Sequence, residues 1–457
     1  MSVRRWSGIA VVIGLSMAGL HERVLAFPVD GDQTALPAKT ELNEDALRRP
    51  REVFHSEITG RRSELIKLGN LAFSSPSILG NVAQQAGISC ETCHVNGAGN
   101  ARLFVPKMST RPGNFDTTGP LFNPKADNGV LDPVRVPSLR GARYLAPYGA
   151  DGRMGSLRDF VRNVIVNEFA GAEPSPAILD AIVAYIQDID FLPNQSLGPT
   201  GRLVGKISDA ERRGEALFAK PFPHDPGLSC AACHIPSAAF VDHRQHDVGS
   251  GGLFKTPTLR NADFNAPYFH DGRFDSYDQV VAHFDRVFEL GLSAQDQKDL
   301  VAYLTAVGDA AMPYEQGAGT VLKEIDDFAS LLATAIPAGD KETVALAVDT
   351  IGGELRELTE HYPDRKDTSV PGGEQERAMA RSALKEVVLL LRRIDIAVGE
   401  GRTADAADDY RNYRSLMVAA IPSLLARADR WSLYNDAVHD RHYEALRQVM
   451  QSKHMPQ

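Results

Sequence analysis

Four cysteines form one short pattern that occurs twice. Each copy reads Cys-x-x-Cys-His, and the two copies comprise Cys90, Cys93 and His94, and Cys230, Cys233 and His234. This is the attachment pattern of a c-type haem, in which both sulfurs form thioethers to the vinyl groups and the histidine ligates the iron. A thioredoxin-like redox pair or a four-cysteine zinc site needs no histidine after each pair. The sequence therefore predicts two covalently bound haem c groups.

A longer repeat follows each of these motifs. Residues 136–153 and 256–273 both contain a Pro-x-Leu-Arg segment and a Pro-Tyr-x-x-Asp-Gly-Arg segment, at a constant offset. The haem motifs are about 20 residues further apart than this offset, so the first copy carries a longer loop, rich in Gly, Pro and Asn, around residues 97–130. Such a repeat indicates two homologous domains in tandem.

Apolar residues at helical spacing precede and follow each haem motif. The opening segments are 65–72 and 214–218, and the closing segments are 178–189 and 295–307. Ser293 is placed to cap the last of these helices. Strand patterns are weak throughout, so the sequence predicts an all-α fold.

The predicted architecture is two tandem cytochrome c-like domains, at residues 60–200 and 201–312, followed by a C-terminal helical bundle. Residues 313–457 contain a linker and then apolar positions at helical spacing, which predict four or five helices around a loop at residues 363–373. Because the Met and His residues of this region form no recognisable ligand spacing, a docking or stabilising module is favoured over a further cofactor site.

The first 26 residues have the pattern of a secretory signal peptide. Two arginines precede an apolar run from Trp6 to Leu20, and Ala26 ends a cleavage pattern of small and apolar residues. The run is shorter than the roughly 20 residues of a membrane-spanning helix, which argues against a retained anchor. We expect cleavage after Ala26, an N-terminal extension at residues 27–59, a periplasmic location where haem is attached, and no stable membrane span in the mature protein.

The charge balance excludes one class of partner. Lys and Arg number 49 against 59 Asp and Glu, which gives a formal net charge of −10. A nucleic-acid binder would normally carry a basic excess, so we expect no nucleic-acid partner.

Taken together, the tandem haem motifs, the two repeated segments and the closing helices resemble the bacterial dihaem cytochrome c peroxidase family, which includes the MauG-type enzymes. The resemblance covers about residues 60–312. It implies that the N-terminal haem reacts with peroxide and that the C-terminal haem holds a reserve electron. It also implies a calcium ion at the seam between the two domains.

The first haem has few side chains available as a sixth ligand. His94 is the single histidine of residues 60–200, and Met108 and Met154 are the remaining soft ligands. An open position lets peroxide reach the iron, whereas ligation by Met108 would make this haem an electron carrier. The resemblance places the catalytic acid about fifteen residues after the first Asp-Gly-Arg segment, at Glu168, and the alternative is a surface glutamate at a helix end.

Two positions depart from the family's pattern. The peroxidases have a tryptophan between the haems, where this chain has Ala150, so electron transfer would use direct tunnelling or Tyr144 or Tyr148. The distal ligand of the second haem is Met in the peroxidases and Tyr in MauG, where this chain has Phe284, which cannot bind iron.

His283, one residue earlier, is therefore the candidate distal ligand of the second haem. A shift of one residue turns a helical side chain by about 100°, which leaves this assignment open. His270 is expected to bond a haem propionate or the domain seam, and His243 and His246 are expected to be loop residues without a role at iron. Met312 is another available ligand.

Three functions follow from this reading. The first is peroxide reduction with electrons from a small periplasmic donor protein. The second is MauG-like oxidation of a protein partner by the same dihaem arrangement. The third is a dihaem electron carrier, in which both irons are six-coordinate and Glu168 is structural.

Overall fold

The structure is a computed structural model that describes residues 36–42, 50–59, 63–310, 317–364 and 366–453. Its regular structure is almost entirely helical, which confirms the all-α prediction. The expected signal peptide and Met312 lie outside the described residues. No helix in the described ranges combines the length and apolarity needed to cross a bilayer.

The helices fall into three groups along the chain. The first group is α1 (His55–Thr59), α2 (Glu64–Phe73), α3 (Asn81–Gln85), α4 (Cys90–Cys93), α5 (Leu157–Asn163) and α6 (Pro176–Asp188). The second group is α7 (Asp209–Phe218), α8 (Cys230–Cys233), α9 (Tyr277–Val287) and α10 (Ala294–Gly308). The third group is α11 (Ala318–Ala338), α12 (Lys341–Glu360), α13 (Glu374–Gly399), α14 (Thr403–Ser415), α15 (Ile421–Ala428) and α16 (Asp436–Lys453).

The strands of the described residues are two residues long and form three antiparallel pairs. The pairs are β1 (Val53–Phe54) with β4 (Ile189–Asp190), β2 (Asn114–Phe115) with β3 (Val134–Arg135), and β5 (Gln245–His246) with β6 (Phe254–Lys255). These short pairs hold loops together and do not form a β-sheet layer. The long loop expected in the first copy contains β2 and no α-helix.

Each haem motif is flanked by a crossed helix pair. In the first copy α2 packs on α6, and a side chain at Gly69 would meet the Ala181 carbonyl oxygen at 1.9 Å. In the second copy α7 packs on α10, and a side chain at Gly214 would meet the Asp299 carbonyl oxygen at 2.0 Å. Glycine therefore lets both pairs approach closely. Ser293 caps α10 as expected, because its hydroxyl accepts from the backbone N–H of Asp296.

The C-terminal region has six helices in the described residues, one more than the upper end of the prediction. α14 is the reason that the sequence analysis undercounted, because it buries only Ala406 and Tyr413 and is otherwise largely polar. Such a helix gives almost no apolar periodicity. Its position depends on packing against α13, which also contacts α12 and α15.

The C-terminal helices pack on the first haem domain. One continuous apolar core runs from the first domain into α11–α15, whereas the second domain has its own core. Asp349 of α12 accepts hydrogen bonds from Ser75 Oγ at 2.7 Å and from Ser77 N at 3.0 Å. Thr350 Oγ1 donates to the Leu71 carbonyl at 2.7 Å. The first group of helices and the C-terminal helices thus share one core.

Carboxylates crowd this junction. Glu91, inside the first haem motif, accepts from Ser74 Oγ at 2.7 Å. Burial, and then the nearby charges of Glu52 and Glu324, raise the pKa of Glu91 to about 8. Glu324 of α11 forms an ion pair with Arg51 at 2.6 Å. The junction therefore favours a proton on Glu91.

Candidate functional site

A cavity of about 1780 Å³ is lined by both Cys-x-x-Cys-His motifs and by residues of the first and second groups of helices. A pocket for one small molecule is typically about 300–1,000 Å³, so this cavity has room for two large groups. The seam around it is held by backbone contacts, in which Lys255 N donates to the Ala150 carbonyl at 3.0 Å and Arg135 N donates to the His270 carbonyl at 2.7 Å.

The two motif histidines are oriented in the same way. His94 Nδ1 lies 3.0 Å from the Pro137 carbonyl oxygen, and His234 Nδ1 lies 3.1 Å from the Phe240 carbonyl oxygen. A proton on Nδ1 that bonds a carbonyl leaves Nε2 as the lone-pair donor for a metal. Burial lowers the pKa of His94 to about 4 and also lowers that of His234. Both shifts favour the neutral ring, which is the form that ligates iron.

The four motif cysteines form no disulfide. Burial raises the pKa of Cys90, Cys93 and Cys230 to about 12. A redox dithiol or a zinc site needs an environment that lowers the pKa of the thiol, so these surroundings do not suit either. With the cavity and the two oriented imidazoles, the residues present fit two haem c groups.

Glu168 lines the same cavity, and its residue is 5% exposed. It ends a π-helical turn, Val164–Glu168, that directly follows α5, and such turns are frequent at functional sites. Arg153 Nη2 and Asn163 Nδ2 both donate to Glu168 Oε1 at 2.9 Å. Glu168 Oε2 accepts no hydrogen bond from the part of the chain that the structure describes. The carboxylate is thus held at one oxygen and available at the other.

Arg153 and Asn163 are the functional residues that sequence reasoning missed. Arg153 is recognisable in the sequence as the last residue of the first Asp-Gly-Arg segment, but the sequence does not indicate that it pairs with Glu168. Its guanidinium joins two carboxylates, since Nη1 also donates to Asp151 Oδ1 at 3.1 Å. Asn163 could not be found by motif, because it reaches Glu168 through the extra residue of the π turn.

Neither methionine of the first domain lines the cavity. Met108 is 2% exposed and belongs to the apolar core, where its sulfur packs against Gly119. Met154 pairs with Tyr148 through a short antiparallel backbone bridge. The structure therefore brings His94 and Glu168 together in one cavity and leaves both thioethers outside it.

Of the residues considered for electron transfer, some line the cavity and one does not. Ala150 and Tyr148 line the cavity, and Lys255 Nζ lies 5.8 Å from the centre of the Tyr148 ring. Tyr144 is 45% exposed and stacks on Phe191 outside the cavity. Of the two tyrosines, Tyr148 is thus the one that lines the cavity.

His283 does not line the cavity, contrary to what a distal ligand requires. Its Nε2 lies 2.8 Å from the Val248 carbonyl oxygen, and its Nδ1 lies 3.3 Å from Arg286 Nη2. A ring that donates through Nε2 and accepts through Nδ1 has no nitrogen left for iron. The neighbouring Phe284 faces the cavity instead. The helical rotation between adjacent residues is the physical reason that the expected ligand points away.

His246 and His270 both line the cavity. His246 Nε2 lies 2.7 Å from Asp242 Oδ2, and the His270 ring stacks on Phe254 with centres 3.8 Å apart. His243, whose Nδ1 lies 2.7 Å from the Ala146 carbonyl, also contacts the first domain. These histidines therefore lie at or near the seam.

The expected calcium ion has no matching group of carboxylates among the described residues. One group of three potential ligands, Cys233, Asp242 and His246, has its donor atoms within 4.8 Å of one another. Cys233 belongs to the haem motif, and calcium prefers oxygen ligands. This group does not fit calcium, and calcium binding stays a prediction.

Comparison with known proteins gives the same family as the motifs. Residues 209–348, which include the second haem motif, match the family model described as di-haem cytochrome c peroxidase. Hydrazine synthase subunit gamma from Kuenenia stuttgartiensis is 25% identical over 325 residues, which cover 58% of this chain and 83% of that protein. The methylamine utilization protein MauG from Methylorubrum extorquens is 26% identical over 307 residues, which cover 56% of this chain and 82% of that protein.

Among solved structures, a xenon-pressurized hydrazine synthase from Kuenenia stuttgartiensis aligns with a TM-score of 0.41 and 21% identity, covering 65% of this chain and 100% of that chain. The family-model match and the named relatives confirm the resemblance to di-haem cytochrome c peroxidases and MauG. Haem c is the cofactor of this family, and oxidoreductase chemistry is its activity.

Proposed function

We propose that this protein is a periplasmic dihaem c-type oxidoreductase that reduces hydrogen peroxide with electrons from a small redox protein. In this proposal two cytochrome c-like domains stand in tandem and the C-terminal bundle stabilises the first. His94 and His234 ligate the two irons, and the four motif cysteines attach the haems.

One observation carries the proposal: Glu168 shares a cavity with His94, and the thioethers of Met108 and Met154 do not line that cavity. An electron carrier needs a second strong ligand on the first iron, and a peroxidase needs access and a proton-transfer group. The arrangement of these four side chains favours the second requirement.

The chain's own contribution to the reaction is proton transfer at Glu168. Hydrogen peroxide, two electrons and two protons give two water molecules. Glu168 Oε2 takes a proton from one peroxide oxygen and delivers it to the other, which departs as water. Arg153 and Asn163 both hold Oε1 at 2.9 Å, which leaves Oε2 as the oxygen for proton transfer. The haems supply the electrons and the iron site at which the oxygen–oxygen bond breaks.

MauG-like oxidation of a protein is the second candidate function. It is supported by the 26% identity to MauG over 307 residues. Ala150 occupies the position of the family's inter-haem tryptophan and lines the cavity. Direct tunnelling, or transfer by way of Tyr148, would then connect the haems. An activity of this kind would use the same open first haem and the same acid.

The deciding experiment combines spectra with turnover on the exported, haem-loaded protein. Electron paramagnetic resonance of the ferric and half-reduced states counts high-spin haems. Peroxide consumption with a reduced small cytochrome as donor measures the activity. We expect at least one high-spin haem and peroxide-dependent oxidation of the donor. Two low-spin haems without peroxide consumption in any reduction state would identify an electron carrier instead.

A further inference from the structure

An apolar stripe lines the same cavity as the second haem motif. Val280 and Phe284 lie four residues apart on α9, Phe288 directly follows its last residue, and all three line the cavity that His234 lines. Residues at this spacing lie on one helix face. None of the three side chains carries a nitrogen, oxygen or sulfur atom that could bind iron.

On the rest of α9, Tyr277 also lines the cavity, but its hydroxyl donates to Asp263 Oδ1 at 2.5 Å. His283 is the one histidine of the helix, and both of its ring nitrogens are engaged, with Val248 and Arg286. Its ring is also packed among aromatic side chains, with centres 4.9 Å from Phe269 and 5.2 Å from Phe274. Turning His283 toward the cavity would break two hydrogen bonds and open a hole in this cluster.

Besides His234, two histidines of the second domain line the cavity, His246 and His270. His246 of β5 has its Nε2 2.7 Å from Asp242 Oδ2. His270 stacks on Phe254, and its backbone carbonyl is tied to Arg135 of the first domain at 2.7 Å. Iron ligation through Nε2 of His246 would break its pair with Asp242, and moving the His270 ring would break its stack on Phe254.

We infer that the second haem also has an open axial position, and that this position, bordered by Phe284, binds a small uncharged diatomic ligand. The inference rests on the proposed attachment of two haems. The stripe offers neither a hydrogen-bond donor nor a positive charge to an anion, and it offers apolar contact to a neutral molecule of two atoms. The molecule would then have two ligand-accepting irons with different surroundings, a polar one beside Glu168 and an apolar one beside Phe284.

Carbon monoxide is the probe. The fully reduced protein is titrated with carbon monoxide and followed by absorption, and covalent haem is counted independently after alkaline pyridine treatment. We expect two carbon monoxide molecules bound per chain. Phe284→Met adds a thioether at the cavity-facing position, so it should convert one ferric haem to low spin and lower the count from two to one. Phe284→Leu, which adds no ligand, should keep the count at two.

The same titration separates this inference from the proposed function. If the wild type binds one molecule and Phe284→Met also binds one, the second iron is already ligated and the inference is wrong. If the wild type binds one and Phe284→Met binds none, the first iron is closed and the peroxidase proposal fails while the inference holds. A second haem that becomes high-spin in His270→Ala, His246→Ala or Met312→Leu would name its ligand and overturn the inference.

Discussion

Replacing Glu168 by glutamine tests the proton-transfer role with little change in shape. The amide oxygen of glutamine can still accept from Arg153 Nη2 and Asn163 Nδ2, which both donate to Oε1 at 2.9 Å in the wild type. The other side-chain atom becomes an NH₂ group, which cannot take a proton from peroxide. We therefore expect haem content and spectra to be retained while peroxide turnover falls.

The two effects of this substitution differ greatly in size. Loss of a positioned acid–base group typically lowers a rate by about 10² to 10⁴, or about 3 to 5 kcal/mol in barrier. The lost ion pair costs little stability, because the Arg153 side chain is 39% exposed and keeps its bond to Asp151. Because this partner is so exposed, we expect loss of the ion pair to lower the free energy of unfolding by about 1 kcal/mol or less.

The assay measures steady-state peroxide reduction and the melting temperature for the wild type, Glu168→Gln and a matched control. Glu173→Gln is the control, because Glu173 is 55% exposed, pairs with Arg162 and does not line the cavity. Wild-type turnover in Glu168→Gln, with both haems present, would refute the proton-transfer role. Equal losses in both variants would show a general effect of charge instead.

Three further predictions follow from the structure. All four cysteines should be thioethers, so both haems should stay with the protein in acid acetone and no free thiol should titrate; extracted haem would contradict this. Because the pKa of Glu91 is raised from 4.5 to about 8 by burial and then by Glu52, the folded state holds its proton more tightly than the unfolded state. The resulting stability is present below pH 4.5 and is lost as the pH rises through 8. Glu91→Gln should therefore melt at a higher temperature than the wild type at pH 8 and at a similar temperature at pH 4. A lower melting temperature for Glu91→Gln at pH 8 would be inconsistent with this burial. Asp349→Ala removes the hydrogen-bond acceptor of Ser75 and Ser77, so it should lower the free energy of unfolding by about 1–3 kcal/mol. The haem spectra should not change. An altered spectrum would show that the C-terminal helices influence the haem.

Much of the fold was accessible from local patterns. The helices that flank each haem motif have apolar residues at helical spacing and serine caps, and they occur where expected, with α6 at Pro176–Asp188 and α10 at Ala294–Gly308. α14 was missed because most of its residues are polar and its position depends on neighbouring helices. The shared core of the first domain and the C-terminal bundle was also invisible, because contacts between distant segments leave no periodic signal.

The functional site shows the same distinction between local sequence pattern and tertiary packing. The motif spacing by itself predicted the haem chemistry, since two cysteines and a histidine must lie close together in the sequence to hold one group. The family's spacing also led to Glu168, but the partners at its Oε1 and its position in the cavity of His94 come from the tertiary structure. The residue type at position 283 suggested a ligand, and a rotation of about 100° per residue decided that Phe284 faces the cavity in its place. Sequence thus fixes chemistry that is local along the chain, whereas direction and access depend on how distant segments pack, and only the folded chain decides those.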